Sequence, residues 1–140
     1  MRQEIISPVA ADIADLSTTA ANVFSYTFAA EGYILCDQIY GRLEEAIAAG
    51  GFTTSAGIVT IQVGSTTVAT FSTGATTGGN TVAAGAIGKQ YLFTTSATDA
   101  PTGTFKVAAG DVLTVDVTAG VGGTVTGTIR VTVPVESNNA

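Results

Sequence analysis

The chain has 140 residues, of which 46% are hydrophobic and only 11% are charged, and its net charge is −6. This length predicts one domain with a core of its own, and five scattered cations exclude the basic surface that duplex nucleic acid or an anionic membrane requires. An ordinary soluble domain carries about 25% charged residues, so the weakly ionic composition favours packing against other chains.

The first 21 residues are predicted to form an N-terminal arm. Ile5 and Ile6 fit a short strand that Pro8 ends. Residues 10–16 fit only one or two helical turns, which are marginal in isolation. We therefore expect the arm, residues 1–21, to pack on a sheet edge or on a neighbouring chain. No secretory signal or apolar stretch of about 20 residues is visible, so we expect synthesis in a cytoplasm without export.

From Asn22 the apolar residues recur with a period of two, which is typical of strands. The alternation over residues 22–28 predicts a strand with an inward aromatic face formed by Phe24, Tyr26 and Phe28. Residues 33–43 predict a second strand, in which Gly41 indicates a bulge or a close approach of backbone.

The middle of the chain contains the clearest hairpin. Residues 58–63 and 66–71 are β-rich and flank Gly64-Ser65, which predicts a type II′ turn with glycine at the positive-φ position. A loop is predicted over residues 72–80, and a strand over residues 91–95.

The last third predicts strands over residues 105–107 and 111–117 and one long strand that ends near residue 136. The apolar positions of this long strand alternate from Val125 to Val135, and Pro134 on its polar face suits an edge or terminal position. Residues 137–140 are predicted to be a tail.

These patterns predict an all-β domain over residues 22–136, with about eight strands and no helix long enough to form a layer. A two-sheet antiparallel β-sandwich or a closed barrel satisfies them.

Catalytic and metal-binding patterns are missing from the sequence. The chain has no histidine, and its one cysteine, Cys36, lies in an apolar run that predicts burial. Asp111 and Asp116 fall on opposite faces of one strand, and the neighbours Glu44 and Glu45 do not form a catalytic pair. We expect no enzymatic activity, no metal and no cofactor.

Residues 105–115, followed by residues 122–131, resemble the closing strands of jelly-roll proteins, in which a Gly-Asp turn precedes an alternating apolar strand. Over residues 22–136 the chain is similar to the jelly-roll decoration (cement) proteins of tailed bacteriophage heads, and to jelly-roll modules of phage tail fibres. The first resemblance implies a homotrimer on the outer surface of the virion, made in the host cytoplasm. It would bridge subunits of the major capsid protein and stabilise the shell.

The resemblance also implies where contacts lie. By analogy, the N-terminal arm reaches neighbouring subunits, so Ile5, Ile6 and Pro8 are candidate capsid contacts. The alternative is a receptor- or glycan-binding tail-fibre module. Jelly rolls that bind sugars use an exposed aromatic platform, for which Tyr40 and Tyr91 are the candidates. Neither alternative involves nucleic acid or a membrane.

Overall fold

The computed structural model describes residues 2–15, 18–44, 57–72, 90–95, 103–119 and 126–139, and these ranges contain eleven β-strands. The strands are β1 (Arg2–Asp15), β2 (Ala20–Thr27), β3 (Gly32–Leu35), β4 (Tyr40–Leu43), β5 (Ile58–Val63), β6 (Thr66–Ser72), β7 (Gln90–Leu92), β8 (Thr94–Thr95), β9 (Thr104–Val107), β10 (Val112–Thr118) and β11 (Thr126–Asn139). A short 3₁₀ turn, Cys36–Gln38, joins β3 to β4. The all-β prediction is confirmed for the described residues.

The strands form two antiparallel sheets, an arrangement consistent with a β-sandwich. In the first sheet, β11 is central: β1 pairs with one of its edges, and β3 and β4 pair end to end with the other. β9 then extends β3, and β7 extends β4. The second sheet has the strand order β2-β10-β5-β6-β8, so β2 is one of its edge strands.

One apolar core lies between the sheets. Alternate residues of the long strands are buried, as expected for strands that place one face against a core. The following residues from β5, β10 and β11 have at most 2% of their surface exposed: Val59, Ile61, Leu113, Val115, Val117, Ile129, Val131, Val133 and Val135. The inward apolar face predicted for the last strand is therefore confirmed over these positions.

The N-terminal segment, for which a short strand and a helical turn are predicted, is one continuous paired strand, β1. β1 runs antiparallel to β11 from Arg2, opposite Asn139, to Asp15, opposite Thr126. The predictions that Pro8 ends the strand and that a helical turn follows are wrong, because a shift of register accommodates the proline. The β1 side chains of Val9, Ala11 and Ile13 are buried in the core. Residues 2–15 therefore pack along β11 as a strand of the first sheet.

The strand predicted over residues 33–43 is interrupted by the 3₁₀ turn. Ile34, Leu35 and Cys36 are buried in succession, which the alternation of a continuous strand does not allow. The backbone N–H of Cys36 donates a hydrogen bond to the carbonyl oxygen of Gly103 at 2.9 Å, which holds the chain where β3 ends. The predicted close approach at Gly41 is confirmed, because a Cβ there would lie 2.7 Å from a carbon of Ile129.

Pro134 lies in the central strand of the first sheet, so the expectation of an edge or terminal position is wrong. On the β1 side, the register shifts between Ile6 and Val9. On the opposite side, Pro134 falls between Thr132, which pairs with β4, and Val135, which pairs with β3. Neither neighbour continues its ladder at Pro134, and a residue without an N–H is therefore tolerated there.

The predicted hairpin is confirmed. β5 and β6 pair directly, and Gly64 has a φ of +60° at the first turn position, as a type II′ turn requires. The strand predicted over residues 91–95 is divided at Phe93, because β7 belongs to the first sheet and β8 to the second. Of the loop predicted over residues 72–80, Ser72 ends β6, and residues 73–80 lie outside the described residues.

Candidate functional site

Asp111 and Asp116 each accept a hydrogen bond from the backbone. Asp111 Oδ2 accepts from the N–H of Ala108 at 2.8 Å and closes the Gly-Asp turn that joins β9 to β10. Asp116 Oδ1 accepts from the N–H of Asn22 at 2.7 Å, where Asn22 takes a φ of +54° and the β2–β10 register shifts. Both carboxylates therefore stabilise strand connections and irregularities.

Cys36 is fully buried, as its apolar surroundings predict. Burial, followed by the nearby charge of Asp37, raises the pKa of the Cys36 thiol from 9.0 to about 11. Its Sγ contacts the carbonyl oxygen of Ile34 at 3.6 Å. At neutral pH the side chain is a protonated, inaccessible thiol, the opposite of an activated nucleophile.

No cluster of three or more metal-ligating side chains exists among the described residues. The same part of the chain contains no helix that combines the length and apolar content needed to cross a bilayer.

Tyr40 and Tyr91 lie on neighbouring strands but on opposite faces of the first sheet. Tyr40 pairs with Leu92, and Tyr91 pairs with Gly41, so the alternation of side chains separates the two rings. Tyr91 is only 8% exposed and packs on Phe71, with ring centroids 5.8 Å apart. The structure does not bring the two tyrosines together into one exposed platform.

The other face of this region carries the most exposed large apolar side chain of the described residues. Leu92 is 63% exposed, and its cross-strand neighbour Tyr40 is half-buried. Thr132, the next residue across the sheet, is 9% exposed. The outer face from β7 to β11 therefore carries an exposed leucine beside a half-buried tyrosine, and the row continues to the threonine of β11.

Ile5, Ile6 and Pro8 lie in the first half of β1. Ile5 is opposite Glu136 and Ile6 is opposite Val135 in the β1–β11 register, and Pro8 lies where that register shifts. This part of β1 therefore lies along β11 on one side, and on the other side no strand of the described ranges pairs with it.

β2 is the second long edge strand, and its surface was not predicted correctly from the sequence. Phe28 is buried as predicted, but Phe24 is only partly buried and Tyr26 is 38% exposed. Val23 on the same strand is 43% exposed. Because β10 is the only sheet neighbour of β2 among the described residues, the aromatic face of β2 is incompletely covered.

Ionic interactions are few and superficial. Among the described residues, the ion pairs are Arg130 with Asp12 at 3.1 Å and Lys106 with Glu31 at 3.3 Å, and all four side chains are about half exposed. Exposed pairs of this kind contribute little to stability. The surface therefore offers strand edges and apolar or hydroxyl groups more than charge.

Comparisons of the chain with protein-family models, with curated proteins and with solved structures found no match.

Proposed function

We propose that the protein is a virion structural protein, a decoration protein that binds the outer surface of a bacteriophage head and stabilises the shell. The observation that carries the proposal is the location of the protein's polar and apolar groups. The carboxylates of Asp111 and Asp116 accept hydrogen bonds from the backbone, the cysteine is buried, and exposed apolar groups lie on strand edges and on one sheet face. This favours adhesion over catalysis.

The course of the chain supports a jelly roll as the form of this sandwich. Among the eleven strands described, only the pairs β3–β4 and β5–β6 are consecutive within one sheet, and every other consecutive pair lies in opposite sheets. Repeated crossing between two antiparallel sheets is typical of jelly rolls. The Gly-Asp turn at Asp111 is one of these crossings, since it leads from β9 of the first sheet to β10 of the second.

The adhesive contact would be weakly ionic. Each copy would bury apolar surface on subunits of the major capsid protein, at about 25 cal/mol for each Å² of apolar area removed from water. Several such contacts from one homo-oligomer, a trimer by resemblance, would multiply retention on the shell. Ile5, Ile6 and Pro8 on β1, and the exposed Leu92 on β7, are the proposed contact regions.

The test is co-sedimentation of the protein with head shells of the virus that encodes it, at low salt and at about 1 M NaCl, where exposed charge pairs are screened. We expect binding that molar salt leaves essentially unchanged. Loss of the protein from the shells at high salt would contradict the adhesive mechanism.

A second experiment locates the protein on intact virions with a gold-labelled antibody. Label over the head supports the proposal, whereas label confined to the tail tip would contradict it and favour a receptor-binding module.

A further inference from the structure

The long strand edges of the two sheets differ in how well they are protected against pairing with another chain. An unpaired edge is a template for strand addition, and charged residues, prolines and bulges are the usual protection. β1 has all three: it contains Pro8, two shifts of register, and the charged residues Arg2, Glu4, Asp12 and Asp15. β2 carries no charged residue and no proline. The remaining outer strands, β7, β8 and β9, have four residues or fewer.

Residues 23–27 of β2, here called the β2 edge, carry neither charge nor proline, and no strand in the part of the chain that the structure describes pairs with their outer side. The N–H of Phe28 donates to the carbonyl oxygen of Asp111 at 2.9 Å, so the backbone groups of Phe28 point toward β10. Because these directions alternate along a strand, Phe24 and Tyr26 also bond toward β10. The N–H and C=O groups of Val23, Ser25 and Thr27 then point outward, away from the sheet.

The residues of the β2 edge form a pattern that reads alike in both directions. Around Ser25 there is an aromatic residue on each side, Phe24 and Tyr26, and then a β-branched residue on each side, Val23 and Thr27. A two-fold axis through Ser25 would therefore place an aromatic residue opposite an aromatic one and a β-branched residue opposite a β-branched one. Such cross-strand pairs are favourable in antiparallel sheets.

We propose that the β2 edge pairs antiparallel with the β2 edge of a second copy of this chain, in the register that places Ser25 opposite Ser25. Val23 of each copy is then opposite Thr27 of the other. The outward groups of these three residues form about six hydrogen bonds across the axis. The two five-stranded sheets join into one continuous sheet.

The aromatic side chains support a second copy of the chain as the partner of the β2 edge. In the proposed register Phe24 of one copy lies opposite Tyr26 of the other, twice over, on the inward face of the second sheet, which the first sheet leaves incompletely covered at β2. Tyr26 already contacts Phe28 edge-to-face, with centroids 5.2 Å apart, so the second copy's Phe24 would extend an existing aromatic cluster.

Charge supports a second copy as well. Two chains with a net charge of −6 repel one another over most of their surfaces, and the β2 edge is a neutral strip where they can approach. A two-fold contact of this kind is isologous and closes on itself. It is independent of the proposed function, and if the protein also forms trimers on a shell, the β2 edge would link neighbouring trimers.

Sedimentation velocity at high micromolar concentration tests the proposal. We expect the unsubstituted chain to have twice the 14.0 kDa mass of one copy, or an even multiple of it. Ser25 is exposed in the single chain, so Ser25→Lys should leave the fold intact while it sets two like charges face to face at the axis. We expect this variant to halve the mass. The control Thr104→Lys adds the same charge at an exposed position of the first sheet and should leave the mass unchanged.

A monomeric unsubstituted chain, or an oligomer whose mass Ser25→Lys does not change, would overturn the proposal. Neither result depends on whether the protein binds phage heads.

Oxidative crosslinking tests the register. In Ser25→Cys the two new thiols would lie on Cα atoms about 5.5 Å apart, within reach of a disulfide, and added diamide would accept the two electrons released. In Thr27→Cys the same-residue Cα atoms would be on the order of 13 Å apart. We expect rapid covalent dimer formation only for Ser25→Cys. Equal crosslinking of the two variants, or none for Ser25→Cys, would overturn the register.

Discussion

Gly41 is required by packing rather than by backbone conformation. Its φ is not among the positive values of the described glycines, so other residues can adopt its backbone. An ideal Cβ, however, would lie 2.7 Å from Ile129 Cδ1 and 3.2 Å from Phe93 Cε1. The space that a side chain would need is therefore occupied by the core residues of β11 and of the β7–β8 junction.

We expect Gly41→Ala to lower the free energy of unfolding by about 1–3 kcal/mol, because an added methyl group forces displacement in a close-packed core. Urea denaturation followed by circular dichroism measures the loss.

Ile129→Val provides the matched partner, because it removes the Cδ1 atom that the new methyl group meets. Alone, this change should cost about 1 kcal/mol. In the double variant the total loss of unfolding free energy should be smaller than the sum of the two single-variant losses, since the clash disappears. Strict additivity would show that Ile129 is not the obstacle.

At the scale of elements, β1 determines whether the N-terminal segment is an arm or part of the domain. Ile13 is 2% exposed and lies opposite Ile129 in the register with β11. Asp12, its neighbour, points to the surface and pairs with Arg130. Substitutions at these two adjacent residues therefore test the core contact and the surface ion pair of β1 separately.

We expect Ile13→Ala to lower the free energy of unfolding by about 2–5 kcal/mol, the usual cost of a cavity in a packed core. Asp12→Ala should cost less than about 1 kcal/mol, because exposed ion pairs contribute little. Both values come from the same urea titration. A negligible effect of Ile13→Ala would mean that β1 is detachable from the sandwich.

Sequence patterns predict well those elements whose structural surroundings stay the same along their length. β11 is apolar and buried on one face from Ile129 to Val135, and the β5–β6 hairpin is specified locally by Gly64. The interruption between β3 and β4 was not predictable, because it depends on a hydrogen bond from Cys36 to the distant Gly103. A pattern of alternation records which residues are apolar and contains no information about that partner.

The same limit applies to the candidate surfaces. The alternation of aromatic residues predicts the inward face of β2, but the partial exposure of that face follows from the position of β2 at the end of its sheet. Tyr91 appeared suited to a ligand platform, yet it is buried because β7 pairs it with Gly41 and packs it on Phe71. Sheet order is a property of the whole chain, so single residues do not reveal which face or edge stays open.

At the scale of the whole molecule, the chain joins its most distant parts. β1 pairs with β11 along their length, and the paired residues are more than 100 positions apart in sequence. The β5–β6 hairpin instead joins neighbours across a two-residue turn. Closing a long loop costs conformational entropy before its contacts form, so long-range β pairing is slow. The hairpin can therefore form before the first sheet is complete.

This order of events predicts different kinetic effects for one substitution at two buried sites. Ile61→Val in the hairpin and Ile13→Val in β1 should each cost about 1 kcal/mol of stability, since both side chains are buried. If the hairpin belongs to the folding nucleus, Ile61→Val should slow folding by up to about fivefold and change unfolding little. If β1 docks after the transition state, Ile13→Val should instead accelerate unfolding by a similar factor. Stopped-flow chevrons in urea separate the two rates, and a slower folding rate for Ile13→Val would show that pairing of the chain's ends is part of the nucleus.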